Sequence, residues 1–187
     1  MSKLVLLSKA DPGRLGYVGK CSGRDSDSWF TPAIYVEAAR TVLGRIDLDP
    51  FSSDAANLTV GAGQHYTEKD DAFKCSWLAH AVWMNPPYGG QLFRRAVEKF
   101  VEEYRRGTFQ AGIVLANNCT ETRAFQLLLN VSRAICFTDH RISFANVDGK
   151  SISGNTRGQA FLYVSRKPGV ASFRRVFGQF GKVLVCQ

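Results

Sequence analysis

An α/β fold is what the sequence predicts: a mostly parallel sheet with an antiparallel edge and helices on both faces. Three observations carry this. Through the middle of the chain, apolar strand-like runs at 81–84 and 111–116 alternate with a helix-like stretch at 91–106, the pattern of a parallel sheet with crossover helices. After residue 134 strand-like runs crowd together, at 134–137, 141–144, 160–165 and 183–185, which suits an antiparallel edge. With 187 residues, 45% hydrophobic and 21% charged, the chain can fill one such domain but not two.

Taken in order, residues 1–28 hold Gly13, Gly16, Gly19 and Gly23 among Ser and Asp without periodicity. They read as a flexible leader, so the domain is expected over 29–187. Structure begins at Trp29-Phe30-Thr31-Pro32. Thr31 suits an N-cap with Pro32 at the first helical position, and Ile34, Ala38, Val42 and Leu43 give the helix an apolar face that Gly44 closes. Residues 46–49 read as a short strand ended by Pro50, and 52–63 as a turn-rich stretch. The strand 81–84 runs straight into Asn85-Pro86-Pro87-Tyr88. The strongest helix follows over 91–106, with Phe93, Val97, Phe100, Val101 and Tyr104 at helical spacing and Gly107 behind it. A helix near 121–129, the strands already named, a polar loop over 145–158 and a short basic helix complete the reading.

Asn85-Pro86-Pro87-Tyr88 is the most informative stretch. Two prolines deny the backbone ladder hydrogen bonds, so the strand stops and its carbonyls turn outward. Asn85 and the Pro86 carbonyl can then both accept from one amino group. An exocyclic amine is a poor nucleophile because its lone pair is delocalised into the ring. Two acceptors on its two hydrogens favour a tetrahedral nitrogen and free that lone pair. Tyr88 offers a face on which an extrahelical base can stack. The place is also right, since ligands of open α/β sheets bind beyond the carboxyl ends of strands. The structural alternative is a plain Pro-Pro turn capped by Asn.

With these residues, the chain resembles the phage-type DNA N6-adenine methyltransferases. The resemblance runs through Trp29-Phe-Thr-Pro32, Gly44-Arg-Ile-Asp-Leu-Asp-Pro50, Tyr66-Thr-Glu-Lys-Asp-Asp-Ala-Phe73, Trp77 and Val82-Trp-Met-Asn-Pro-Pro-Tyr-Gly89, about two-thirds of the chain. It implies the class I, Rossmann-like methyltransferase fold and use of S-adenosylmethionine to methylate the N6 amino group of adenine in double-stranded DNA. Asn85, Pro86, Pro87 and Tyr88 match the catalytic segment. Asp49, Pro50 and Phe51, with Thr31 and Pro32, match residues at the methionine end of the cofactor. Asp71 and Phe73 match its adenine subsite, and Asn85 borders the cofactor as well. Trp29 is either cofactor packing or a hydrophobic staple before the helix.

The chain also departs from the wider methyltransferase pattern. Ser52-Ser53 stands where a Gly-x-Gly would follow Asp49-Pro50-Phe51, and only 36 residues separate Asp49 from Asn85. A shortened cofactor half is therefore expected. Of Asp47 and Asp49, the second is the preferred cofactor contact. Trp77 and Trp83 are expected in the core.

The net charge of +8, from 24 Lys plus Arg against 16 Asp plus Glu, favours a polyanionic partner. Within loop 145–158, Lys150, Asn155 and Arg157 are the candidates for DNA contact, since Arg and Asn suit guanine and adenine edges. Phe144, just before the loop, either packs in the core or stacks on the flipped base. No stretch has the length of a membrane span, and five scattered cysteines with three histidines suggest neither a disulfide framework nor a metal site. A cytoplasmic protein of a bacterial or phage-infected cell, with no metal and no membrane partner, is expected. Two other functions share these features: an Asn-Pro-Pro-Tyr enzyme that methylates RNA or a protein glutamine, and a non-catalytic DNA-binding relative.

Overall fold

The structure, a computed structural model, describes residues 30–145 and 157–186. The expected leader, 1–28, lies outside them. The elements run α1 (Ala33–Leu43), β1 (Leu48–Asp49), α2 (Asp54–Val60), β2 (Gln64–His65), β3 (Ala81–Met84), α3 (Gly90–Arg106), β4 (Ala111–Asn117), α4 (Arg123–Leu129), β5 (Ala134–Thr138), β6 (Gln159–Ser165), α5 (Val170–Phe177) and β7 (Gly181–Val185). The seven strands form one sheet in the order β2-β1-β3-β4-β6-β5-β7. Neighbours from β2 to β4 pair in parallel, and the ladders β4–β6, β6–β5 and β5–β7 are antiparallel. The expected parallel sheet with an antiparallel edge is present, and its antiparallel part is three strands wide.

Two apolar layers cover the sheet. On one face Val97, Phe100 and Val101 of α3 and Phe125 and Leu128 of α4 pack with Val82, Met84, Val114 and Leu162. On the other, Val36 and Ala39 of α1 and Phe173 and Phe177 of α5 pack with Trp83, Ile113, Leu115 and Phe161. Successive strand residues feed opposite faces, so β3 and β4 are buried on both and read as unbroken apolar runs. Trp77 and Trp83 are fully buried, as expected.

Helix α3 forms where the periodicity placed it, and Gly107 ends it in the left-handed region at φ 82°. Helix α1 also occupies its expected span, and the Gly44 N–H donates to the Arg40 carbonyl at 2.8 Å. Its buried face is turned from the expected one, with Tyr35, Val36, Ala38 and Ala39 inward and Ile34 57% exposed.

Three local expectations are corrected. Pro32, not Thr31, holds the cap position of α1, and no side chain caps the helix there. The Thr31 hydroxyl is engaged elsewhere. The stretch 52–63 contains α2, which Ser53 caps by accepting from the Ala56 N–H at 3.1 Å and which Gly61 ends at φ 57°. Residues 141–144 do not form a strand. Their backbone turns to a side chain instead, as the Ile142 N–H donates to Gln159 Oε1 at 3.1 Å.

The cofactor half is short, as expected. Between Asp49 and the start of β3 at Ala81 the described elements are the seven-residue α2 and the two-residue β2. The chain leaves β1 for β2 on one side and returns to β3 on the other. This opens a crevice at the carboxyl ends of β1 and β3, the usual ligand position in such sheets.

Candidate active site

Asp49 ends β1 and Asn85 follows the last residue of β3, so both stand at that crevice. They line one cleft together with Phe30, Thr31, Phe51, Ala56, Val60 and Trp83. Phe51, Ala56 and Val60 bring the β1–α2 turn and α2 to the cleft, and at that turn Ser53 caps a helix where a glycine-rich loop would stand.

The sequence builds this end of β3 directly. Met84 pairs with Val114 in the sheet, and Pro86 and Pro87 have no N–H with which to continue the ladder. Asn85 is half-buried and held at both ends of its carboxamide. Its Nδ2 donates to Thr31 Oγ1 at 3.0 Å, and its Oδ1 accepts from the Tyr88 hydroxyl at 2.8 Å. The same hydroxyl lies 3.3 Å from the Leu115 carbonyl of β4. Tyr88 stacks on Phe93 of α3 with ring centroids 6.1 Å apart and meets the edge of Phe144 at 6.5 Å. Burial pushes its phenol well above the ordinary range, so it remains a neutral donor.

Asp49 is 2% exposed and its Oδ1 accepts from the Phe51 N–H at 3.3 Å. Burial pushes its carboxyl up to about 7, against the opposing pull of the nearby Ser52 hydroxyl, the Phe51 N–H and His65. Among the described residues it has no ion-pair partner. Asp47 is different, although two residues away. Its Oδ2 accepts from the His80 and Ala81 N–H groups at 3.0 and 2.8 Å and its Oδ1 pairs with Arg45 at 2.6 Å. That carboxylate fixes the start of β3 and takes no part in the cleft.

Beside the cleft, Phe51 meets Phe73 at 5.4 Å and Trp77 at 5.9 Å between ring centroids. The Arg95 guanidinium lies 4.1 Å from the centre of the Phe73 ring. Asp71, at φ 52°, is outside the cleft lining. Its Oδ2 pairs with Lys74 at 2.9 Å and its Oδ1 accepts from the Phe73 N–H at 3.3 Å. The hydrogen bond to Lys74 lowers its pKa.

The expected DNA contacts divide. Lys150 and Asn155 lie outside the described residues, as does Trp29, expected beside the cofactor or as a hydrophobic staple. Arg157 is exposed, and its Nη1 donates to Cys119 Sγ at 3.2 Å beyond the carboxyl end of β4. Phe144 is 1% exposed and packs in the core. In this arrangement it offers no surface to a base, which is the first of the two alternatives the sequence left open.

Sequence reasoning missed Gln159. It is fully buried at the start of β6, where Nε2 donates to Asn117 Oδ1 at 3.2 Å and to the Arg157 carbonyl at 2.9 Å, while Oε1 accepts from Ile142. It thereby ties residues 142 and 157 to the end of β4. A glutamine beginning an apolar run was the available signal.

Among the described residues no cluster of His, Cys, Asp or Glu is arranged to hold a metal ion, and no helix is long and apolar enough to cross a membrane. Chemically, the cleft presents a buried carboxyl with no ion-pair partner among the described residues, an oriented carboxamide and an aromatic wall. That set suits a cationic amino group at Asp49 and a planar amine at Asn85. A family model described as DNA N-6-adenine-methyltransferase (Dam) matches residues 19–175 of the chain. No curated protein matches it.

Proposed function

Since the chain belongs to the DNA N-6-adenine-methyltransferase (Dam) family, we propose that it transfers a methyl group from S-adenosylmethionine to the N6 amino group of a flipped adenine by direct displacement. The observation that carries this reading is the sharing of one cleft by Asp49 and Asn85 at the tips of adjacent strands. The cofactor would be held at its methionine end by Asp49, Pro50 and Phe51 with Thr31, Pro32 and Asn85 alongside, and at its adenine end by Phe73 and Asp71. The lone carboxyl of Asp49 fits the ammonium carried by that methionine end. When bound, S-adenosylmethionine supplies a methyl group activated by a sulfonium.

The chain's own residues position the amine. Asn85 Oδ1 and the Pro86 carbonyl accept its two hydrogens, and Tyr88 lies under the ring. Pro87 keeps the segment from re-entering a ladder. Catalysis in this scheme comes from positioning and preoriented acceptors, with no strong base required. Double-stranded DNA as substrate is supported by the family and by the net charge of +8. Arg157, Lys150 and Asn155 are the proposed DNA contacts.

The test is transfer of labelled methyl to unmethylated duplex DNA, with Asn85→Ala alongside and nucleoside analysis of the product. N6-methyladenine from the wild type, reduced about 100-fold or more in the variant, supports the reading. If the wild type binds S-adenosylmethionine but labels no DNA, the acceptor is RNA or a protein amide. Loss of cofactor binding altogether leaves a non-catalytic DNA-binding relative.

A further inference from the structure

The Asn85 carboxamide has two ends of nearly equal size and opposite character, an oxygen that only accepts and a nitrogen that only donates. Gripping an amine requires the oxygen to face it, because an amide nitrogen in that place would set donor against donor. What favours that orientation is therefore part of the reaction.

On the Tyr88 side the Tyr88 hydroxyl, 2.8 Å from Asn85 Oδ1, could equally accept from the amide nitrogen, with the Leu115 carbonyl 3.3 Å beyond it to take its hydrogen. Left to these neighbours, the nitrogen would turn toward Tyr88, which could accept from it and donate on to Leu115. The opposing acceptor is Thr31. Its hydroxyl is buried, 3.0 Å from Asn85 Nδ2 and 54 residues away in sequence. It is available because Pro32 occupies the cap position of α1 and no side-chain cap is made.

We propose that Thr31 is a positioning residue for methyl transfer: by accepting from Asn85 Nδ2 it keeps the carboxamide oxygen turned to the side where the amine binds. This rests on the function proposed above. It goes beyond the resemblance, which gave Thr31 to the cofactor alone. Tyr88 completes the arrangement. When the amine donates to Asn85 Oδ1, the Tyr88 hydroxyl can redirect its hydrogen to the Leu115 carbonyl without moving a heavy atom.

The experiment compares Thr31→Val, equal in shape but without the hydroxyl, with Thr31→Ser, which restores it. Three quantities are read: kcat on duplex DNA, the Kd for S-adenosylmethionine by calorimetry, and the Asn85 side-chain amide signals by NMR, assigned by their loss in Asn85→Ala. Thr31→Val is expected to lower kcat at saturating S-adenosylmethionine about tenfold or more, over and above any change in the cofactor Kd, and to shift the Asn85 signals with faster hydrogen exchange. Thr31→Ser is expected to restore kcat and the Asn85 signals. An unchanged kcat with unmoved Asn85 signals overturns the proposal. So does a weakened cofactor Kd with an unchanged saturated kcat, which would return Thr31 to the cofactor alone. If the wild type methylates no DNA, the proposed function fails, and the NMR comparison still decides whether Thr31 sets Asn85.

Discussion

The Tyr88 hydroxyl donates to Asn85 Oδ1 at 2.8 Å, so the acceptor proposed for the adenine amine is already engaged within the chain. The ring and the hydroxyl of Tyr88 then have separable roles. Tyr88→Phe keeps the stacking face and frees Asn85 Oδ1, and its methyl transfer should stay within about tenfold of wild type. Tyr88→Ala removes a base-stacking platform of about 1–3 kcal/mol, a loss of roughly 5- to 150-fold. Single-turnover rates on duplex DNA separate the two. Equal impairment of both variants would assign the effect to the hydroxyl and not to stacking.

Asp49 gives a pH dependence of defined sign. Its folded pKa of about 7 is above the ordinary value near 3.9 in an unfolded chain. Between those values the folded state holds a proton that the unfolded state has lost, so stability falls as pH rises from about 4 to about 7 and then levels off. Urea unfolding across that range should show the fall in wild type and a flatter profile in Asp49→Asn. A cationic ligand beside Asp49 would lower its pKa again. Binding of S-adenosylmethionine below pH 7 should therefore release protons, seen by calorimetry in buffers of different ionisation enthalpy, and should tighten toward pH 7. No proton release would remove Asp49 from the cofactor site.

Gln159→Met should be among the more destabilising single changes. The replacement fills the space but removes the hydrogen bonds that Gln159 makes with the Ile142 N–H, the Arg157 carbonyl and Asn117 Oδ1. The expected loss is roughly 2–5 kcal/mol, read from urea unfolding. A loss under about 1 kcal/mol would mean that these groups find other partners.

Gly112 stands where β4 passes under α3. A Cβ there would meet Phe100 Cζ at 2.9 Å and the Val82 carbonyl at 3.2 Å, and Phe100 is fully buried. Gly112→Ala should cost about 1–3 kcal/mol and lower Tm by roughly 2–10 °C. An unchanged Tm would show that Phe100 can repack.

Legibility in the sequence follows how far each feature depends on its own residues. Helix α3 was readable because five apolar residues repeat at its period and a glycine stops it, all locally. The tip of β3 was readable because Pro86 and Pro87 end a ladder whatever their surroundings. Helix α2 escaped because it is seven residues long and buries only Val60; its signals were the Ser53 cap and Gly61. Strand β2 has two residues, too few for any period, and exists only through its pairing with Leu48 and Asp49 of β1. The segment 141–144 misled for a physical reason. Ile142 and Phe144 are buried while Arg141 and Ser143 are exposed, so the two-residue alternation is real, but the backbone pairs with a glutamine side chain. The partnership of Thr31 with Asn85 spans 54 residues, and nothing local in either segment announces it.

The sheet is fastened unevenly, and the cleft lies on its loosely fastened side. Strands β4 and β6 pair across seven residues and β5 and β7 across five, whereas β1 meets β2 at two positions and β3 at one. Cooperative opening follows the shortest ladders, so amides around β1 and β2 exchange with solvent before those of β4 and β6. A molecule gripping the tip of β1 against Asn85 would bridge the firm half to the loose one. Its departure would return that wall to its looser state.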